Sequence, residues 1–187
     1  MDKLIIIDNY DSFTYNLVHL VSPMVNQCKV MRNDQINYEE ISKSNGIILS
    51  PGPGLPKDTN DLISVIKRFH RTHNILGVCL GHQSIAEFFG GKLRNLQRVK
   101  HGISSVINIL DDQCVYKNLP NRFLIGHYHS WVVKELSENF VITAKDEVGD
   151  IMSFRHKELQ LFGLQFHPES ILTENGSLIL ENWIHQH

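Results

Sequence analysis

Three short runs, LIIID (4 to 8), GIILS (46 to 50) and ILGVC (75 to 79), are almost continuously apolar and rich in β-branched residues. A strand with one wet face alternates apolar and polar residues; a strand covered on both faces has no need to. Between and around these runs lie SFTYNLVHLVS (12 to 22), KVMR (29 to 32), NYEEISKS (37 to 44), DTNDLISVIKRFHR (58 to 71) and HQSIAEFFG (82 to 90). In the 58 to 71 stretch Leu62, Ile63, Ile66 and Phe69 recur at helical spacing. Strand alternating with helix predicts an α/β fold, an open and mostly parallel central sheet with helices on both faces. From about residue 92 the texture changes to closely spaced strand candidates, HGISSVINIL, NFVITAKD, DIMSFRH and LQLFGLQF, which predict a small antiparallel extension before a C-terminal helix, SLILENWIHQH. With no internal repeat and no Pro/Gly/Ser linker, residues 1–187 are expected to form one domain.

Composition narrows the function classes. A formal net charge of −2, with Lys and Arg scattered, gives no basic stripe for nucleic acid or an anionic membrane. No apolar run approaches the roughly 20 residues that span a bilayer. The opening MDKLIIIDNYDS lacks the apolar core and cleavage site of a signal peptide, so a cytoplasmic location is expected. Cys28, Cys79 and Cys114 are an odd, widely spaced set without CxxC pairing, as expected of free thiols in a reducing compartment. Neither GxxxxGK[ST] nor GxGxxG occurs, so no phosphate cofactor is implied.

In an open α/β sheet, ligands collect where C-terminal strand ends run into loops. Four unusual stretches fall at such exits: DNYDSF (8 to 13), LSPGPGLP (49 to 56), GVCLGHQ (77 to 83) and QFHPES (165 to 170). The glycines at 77 and 81 around Cys79 suit a tight strand-to-helix turn that exposes a nucleophile, where the helix dipole favours thiolate. The alternative is a buried small core thiol. A thiol nucleophile needs an imidazole, and the imidazole needs an orienting group. His167 and Glu169 are two apart in a segment expected to be extended and stiffened by Pro168, which would let both side chains lie on one side. The Gly/Pro loop at 51 to 56 brings backbone amides close to a ligand. His70, His73, Cys79, His82, His127 and His129 lack the second cysteine pair of a structural zinc site, so no metal is expected.

Together LSPGPGLP, GVCLGHQ, GHYHSW and QFHPES, in this order, resemble the class I, triad-type glutamine amidotransferases, and IIIDNYDSFTYNL is similar to the component II subunits of anthranilate synthase and aminodeoxychorismate synthase. The resemblance implies a flavodoxin-like sheet. It further implies Cys79 as nucleophile, His167 as base and acid, and Glu169 as its orienting carboxylate. Backbone amides of Gly52 and Leu80 would form the oxyanion hole. L-glutamine would be held by Gly52, Pro53, Gly54, Gln83, Ser130 and Trp131. The product would be ammonia for a chorismate-binding synthase large subunit, component I, with Asn9, Tyr10, Asp11 and Ser12 as contact residues and no cofactor. Two positions depart from the family pattern: His127 stands where many relatives carry arginine, and Trp131 where they carry leucine. Tryptophan and folate biosynthesis both remain open, as does one subunit shared between them. Two other readings compete: a free-standing cysteine hydrolase of γ-glutamyl amides, and a flavodoxin-like binding module whose Cys79 is structural.

Overall fold

The computed structural model describes residues 1–59 and 61–186. Asn60 and His187, each inside a stretch expected to be helical, lie outside the described residues. The strands are β1 (Lys3–Asp8), β2 (Gln27–Arg32), β3 (Gly46–Leu49), β4 (Asn74–Val78), β5 (Lys92–Ile109), β6 (Arg122–Glu135), β7 (Phe140–Asp146), β8 (Ile151–His156) and β9 (Leu161–Leu164). The helices are α1 (Thr14–Val21), α2 (Tyr38–Ser42), α3 (Leu62–Phe69), α4 (Leu80–Phe88) and α5 (Gly176–Ile184). All the strands join one sheet in the order β2-β1-β3-β4-β9-β8-β7-β5-β6. The α/β class is as expected: pairings from β2 through β9 are parallel, and those from β9 through β6 are antiparallel.

The apolar runs do what two-sided burial requires. Leu4, Ile6, Ile48, Leu76 and Val78 face α1 and α5, packing with Leu17, Val21, Ile179, Leu180, Trp183 and Ile184. Their neighbours Ile5, Ile7, Ile47, Leu49 and Ile75 face the other side, against Ile41 of α2, Leu62, Val65, Ile66 and Phe69 of α3, and Ile85 and Ala86 of α4. Each such side chain contributes about 1.5–3 kcal/mol of transfer free energy, so these strands anchor the fold. The buried stripe of α3 is Leu62, Val65, Ile66 and Phe69, with Ile63 at its margin.

The antiparallel part holds a long ribbon of β5 and β6, broken by three register shifts. Strand β6 was not among the expected strands, and its core face shows why. Phe123, Ile125, His127 and His129 are all buried at a spacing of two, so the alternation is real but two histidines occupy apolar positions.

The topology aligns the four loops. Strands β1, β3, β4 and β9 are consecutive neighbours, all parallel, so the segments after Asp8, Leu49, Val78 and Leu164 leave the same edge side by side. Strand β9 is last in sequence yet sits beside β4, which brings the segment after residue 164 next to Cys79.

Candidate active site

Cys79 caps α4 with φ +51° and ψ −99°, in the left-handed half of backbone space that side chains rarely enter. Holding a non-glycine residue there costs on the order of 1–3 kcal/mol, so the surroundings must enforce it. They do so through close approach. A Cβ on Gly77 would strike the backbone of Gly81, and one on Gly81 would strike the carbonyl of Leu49 in β3. The amide of Cys79 donates to the carbonyl of Leu164 in β9 at 2.8 Å, which fixes the turn from the other side. Leu80 is the first residue of α4, where a helix leaves amide N–H groups without intrahelical acceptors.

His167 is 2% exposed, and its Nδ1 lies 2.6 Å from Oε1 of Glu169. The backbone around this pair is tied to β6: His167 N–H donates to Gly126 at 3.2 Å, and the Thr173 hydroxyl donates to the His167 carbonyl at 2.6 Å. Phe13 and Tyr128 close over the ring, with centroids 5.5 and 4.9 Å away. Burial disfavours the imidazolium, but the Cys79 sulfur, the Glu169 hydrogen bond and the negative charge of both groups outweigh it. The pKa is pushed up to about 10. Nε2 of His167 makes no hydrogen bond of good geometry, so the thiol influences it as a close neighbour rather than a formed partner. Oε2 of Glu169 is likewise buried without a partner.

Across the edge, Asn9 and Ser50 lock the first two loops together. Asn9 N–H donates to Ser50 Oγ and its side chain donates to the Ser50 carbonyl, both at 2.9 Å, while Asn33 donates to Asn9 Oδ1 at 3.0 Å. Gly52 is pressed against this corner: a Cβ there would lie 2.5 Å from that of Asn9 and 2.8 Å from Leu80 Cδ2. Gly54 takes φ +80°, which only glycine tolerates freely. Of the four residues expected to face a partner, Asn9 corrects the expectation. It is 3% exposed and spends its side chain inside the protein. Tyr10 and Ser12 are exposed and Asp11 half-buried. Burial raises the Asp11 carboxyl pKa, against the Phe13 amide and the His167 charge. Ser12 does not cap α1; Asp11 accepts from the Phe13 amide at 2.8 Å instead.

These loops enclose a cleft of about 350 Å³ lined by Tyr10, Phe13, Gly52, Pro53, Cys79 and His167, with His101 and Tyr128 reaching in from β5 and β6. Residues 5–187 match the family model for class-I glutamine amidotransferases. The chain belongs to that family. It is 44% identical over 190 residues to the bifunctional protein TrpGD of Thermotoga maritima, covering 98% of this chain and 32% of that one, so it spans about a third of that relative. The aminodeoxychorismate/anthranilate synthase component 2 of Bacillus subtilis is 42% identical over 185 residues, covering 97% of this chain and 95% of its own. Among solved structures, a glutamine amidotransferase from Thermotoga maritima superposes with a TM-score of 0.78 at 13% identity, covering 99% of each chain, a likeness of fold.

In this amidotransferase the remaining residues expected at the site fall on β6 and α4. Gln83 is buried on α4, and its Nε2 donates to the Trp131 carbonyl at 2.9 Å. Ser130 and Trp131 are half-buried, and with the Asn95 side-chain amide turned to its favoured orientation the Trp131 indole donates to Asn95 Oδ1 at 3.1 Å. His127 bonds Ser105 at 2.6 Å and His129 at 2.9 Å, while His82 stacks on Phe154 at 4.4 Å. Among the described residues no three His, Cys, Asp or Glu side chains gather as metal ligands. Sequence reading missed Gln165, which lies inside QFHPES and donates its Nε2–H to Cys79 Sγ at 3.7 Å. Phe13, Tyr128 and His101 were missed too; no local signal marks an aromatic that reaches a cleft from another strand. Size alone would have misled, since three depressions of about 440, 440 and 430 Å³ lie elsewhere and contain none of Cys79, His167 and Glu169.

Proposed function

We propose that this amidotransferase is a component II subunit that hydrolyses L-glutamine and passes ammonia to a chorismate-binding synthase, component I. The observation that carries the reading is Cys79, held in a left-handed turn at the mouth of a cleft where His167 and Glu169 are paired. The names of the relatives support the choice of partner.

The chemistry follows from these groups. His167 takes the thiol proton of Cys79, and its raised pKa favours imidazolium beside thiolate. The thiolate adds to the side-chain amide carbon of glutamine, and the amides of Gly52 and Leu80 hold the developing oxyanion. As the C–N bond breaks, His167 returns the proton to the leaving nitrogen, and ammonia departs. Water then gives His167 a proton as it adds to the γ-glutamyl thioester, and collapse expels glutamate and restores the thiol. Glu169 fixes the tautomer and charge of His167 throughout. The Gly52–Pro53–Gly54 segment, Gln83 and the Ser130–Trp131 segment hold the substrate. Free ammonia is protonated and non-nucleophilic in neutral water, so delivery requires a docked acceptor. Tyr10, Asp11 and Ser12 border the cleft and form part of the docking face. The free thiols suit a reducing cytoplasm.

The test is glutamate release by the chain alone and with component I of each type plus chorismate. The reading predicts a severalfold rise with one partner or both, abolished by Cys79→Ala, while ammonia-dependent synthesis by the complex persists. High turnover indifferent to either partner would instead identify a free-standing hydrolase.

A further inference from the structure

Three buried polar groups form a relay whose direction is set on β6. The Trp131 carbonyl oxygen can only accept, and it takes one Nε2–H of Gln83 at 2.9 Å. The same Nε2 gives its second hydrogen to Oε1 of Gln165 at 3.2 Å. That commits the Gln165 carboxamide: with its oxygen toward Gln83, its Nε2–H points at Cys79 Sγ, 3.7 Å away. Turning either amide over would set like groups face to face, so the backbone carbonyl fixes both. Gln165 is fully buried, and its backbone N–H is pinned to the Met152 carbonyl at 2.8 Å.

We propose that Gln165 is a further catalytic residue. Its Nε2–H aims the Cys79 sulfur and stabilises it as thiolate, while its Oε1 holds Gln83 ready for substrate. Gln165 and His167 are two apart in the segment that leaves β9 beside β4, and both come up against the Cys79 sulfur. The amide supplies what the imidazole cannot: it does not titrate, and remains a donor whether His167 carries its proton or has given it away. The inference rests on the glutaminase reading for its catalytic meaning, but the sulfur contact is testable without glutamine.

The experiment is alkylation of Cys79 by iodoacetamide across pH, followed on the peptide that contains it so that Cys28 and Cys114 do not contribute. Gln165→Met should lower the rate near neutral pH about tenfold, the effect of one charge-assisted hydrogen bond, and regain it at higher pH. Gln165→Glu, which keeps the shape and an oxygen toward Gln83, should be slower still because it sets a carboxylate against the thiolate. With glutamine, Gln165→Met should lower kcat and raise KM together. Wild-type alkylation rates in both variants overturn the proposal. Should both variants unfold, the side-chain amide resonance of Gln165 in the unaltered chain decides: it should move when Cys79 is alkylated, and no movement refutes the contact. An altered alkylation profile in a chain that never turns over glutamine sinks the glutaminase reading alone.

Discussion

His167 and His129 are almost equally hidden from water, 2% and 5% exposed, yet one imidazole is driven up to about 10 and the other down to about 3. Burial pushes both the same way. At the Cys79 corner the Cys79 sulfur, the Glu169 hydrogen bond and the negative charge of both groups reverse it. On β6, burial is reinforced by His127, Lys100, His167 and His82, and Asp146, whose charge favours protonation of the neighbouring His127, is already bound to Lys100 at 2.7 Å. His127 follows His129, held to about 4 by burial, with Lys100 and His167 lowering it and Asp146 opposing. The first corner also keeps a left-handed Cys79, and each corner holds one unpartnered imidazole nitrogen, Nε2 of His167 and Nδ1 of His129, while His127 bonds both Ser105 and His129. One histidine is poised to carry charge; the other pair is used as packing.

The contrast can be broken at its negative partner. Glu169→Gln should lower glutaminase kcat by about 100-fold or more, since the neutral amide no longer supports imidazolium. Steady-state kinetics that retain activity within about tenfold would show that Glu169 is not what separates the two corners.

The pH dependence of unfolding should sharpen it next. Below 6.5 the unfolded chain binds protons that folded His127, His129 and His82 refuse until about 4, 3 and 3, so stability falls as pH drops through that range. His167 has the opposite sign: raised from 6.5 to about 10, its contribution is full below 6.5 and is lost as pH rises through 10. Denaturant unfolding measured across pH should show His129→Gln flattening only the acid limb and Glu169→Gln only the alkaline limb.

Smaller effects separate packing from chemistry. His127→Gln cuts the bonds to Ser105 and His129 and should cost about 1–3 kcal/mol in denaturant melts, while the rate of Cys79 alkylation stays unchanged. At the Cys79 corner a substitution can do the reverse. Cys79→Gly should be more stable than Cys79→Ala by about 1 kcal/mol, because glycine occupies φ +51° without strain. Equal melting of the two variants would mean that the turn stores no strain.

Much of the frame was legible in the residues. Two-sided burial of LIIID, GIILS and ILGVC, and glycines wherever the turn at Cys79 meets other backbone, are local constraints that a chain must write into its own composition. Strand β6 was not legible, because His127 and His129 sit where alternation calls for apolar residues, and the bonds that make this tolerable, to each other and to Ser105 on β5, form only in the folded sheet. Nor was the inward turn of Asn9, whose partners Ser50 and Asn33 come from other strand ends.

The sequence by itself determined the alternation that builds a parallel sheet, the exits where loops gather, and the backbone freedom that Gly77 and Gly81 provide at the Cys79 turn. Tertiary structure decided that β9 enters beside β4, that Gln165 aims its amide at sulfur, and which buried histidine is pushed toward its charged form. The division has one physical reason. Backbone sterics and apolar periodicity act between near neighbours in the chain, whereas hydrogen-bond polarity and electrostatic field depend on groups that meet only once the sheet is assembled.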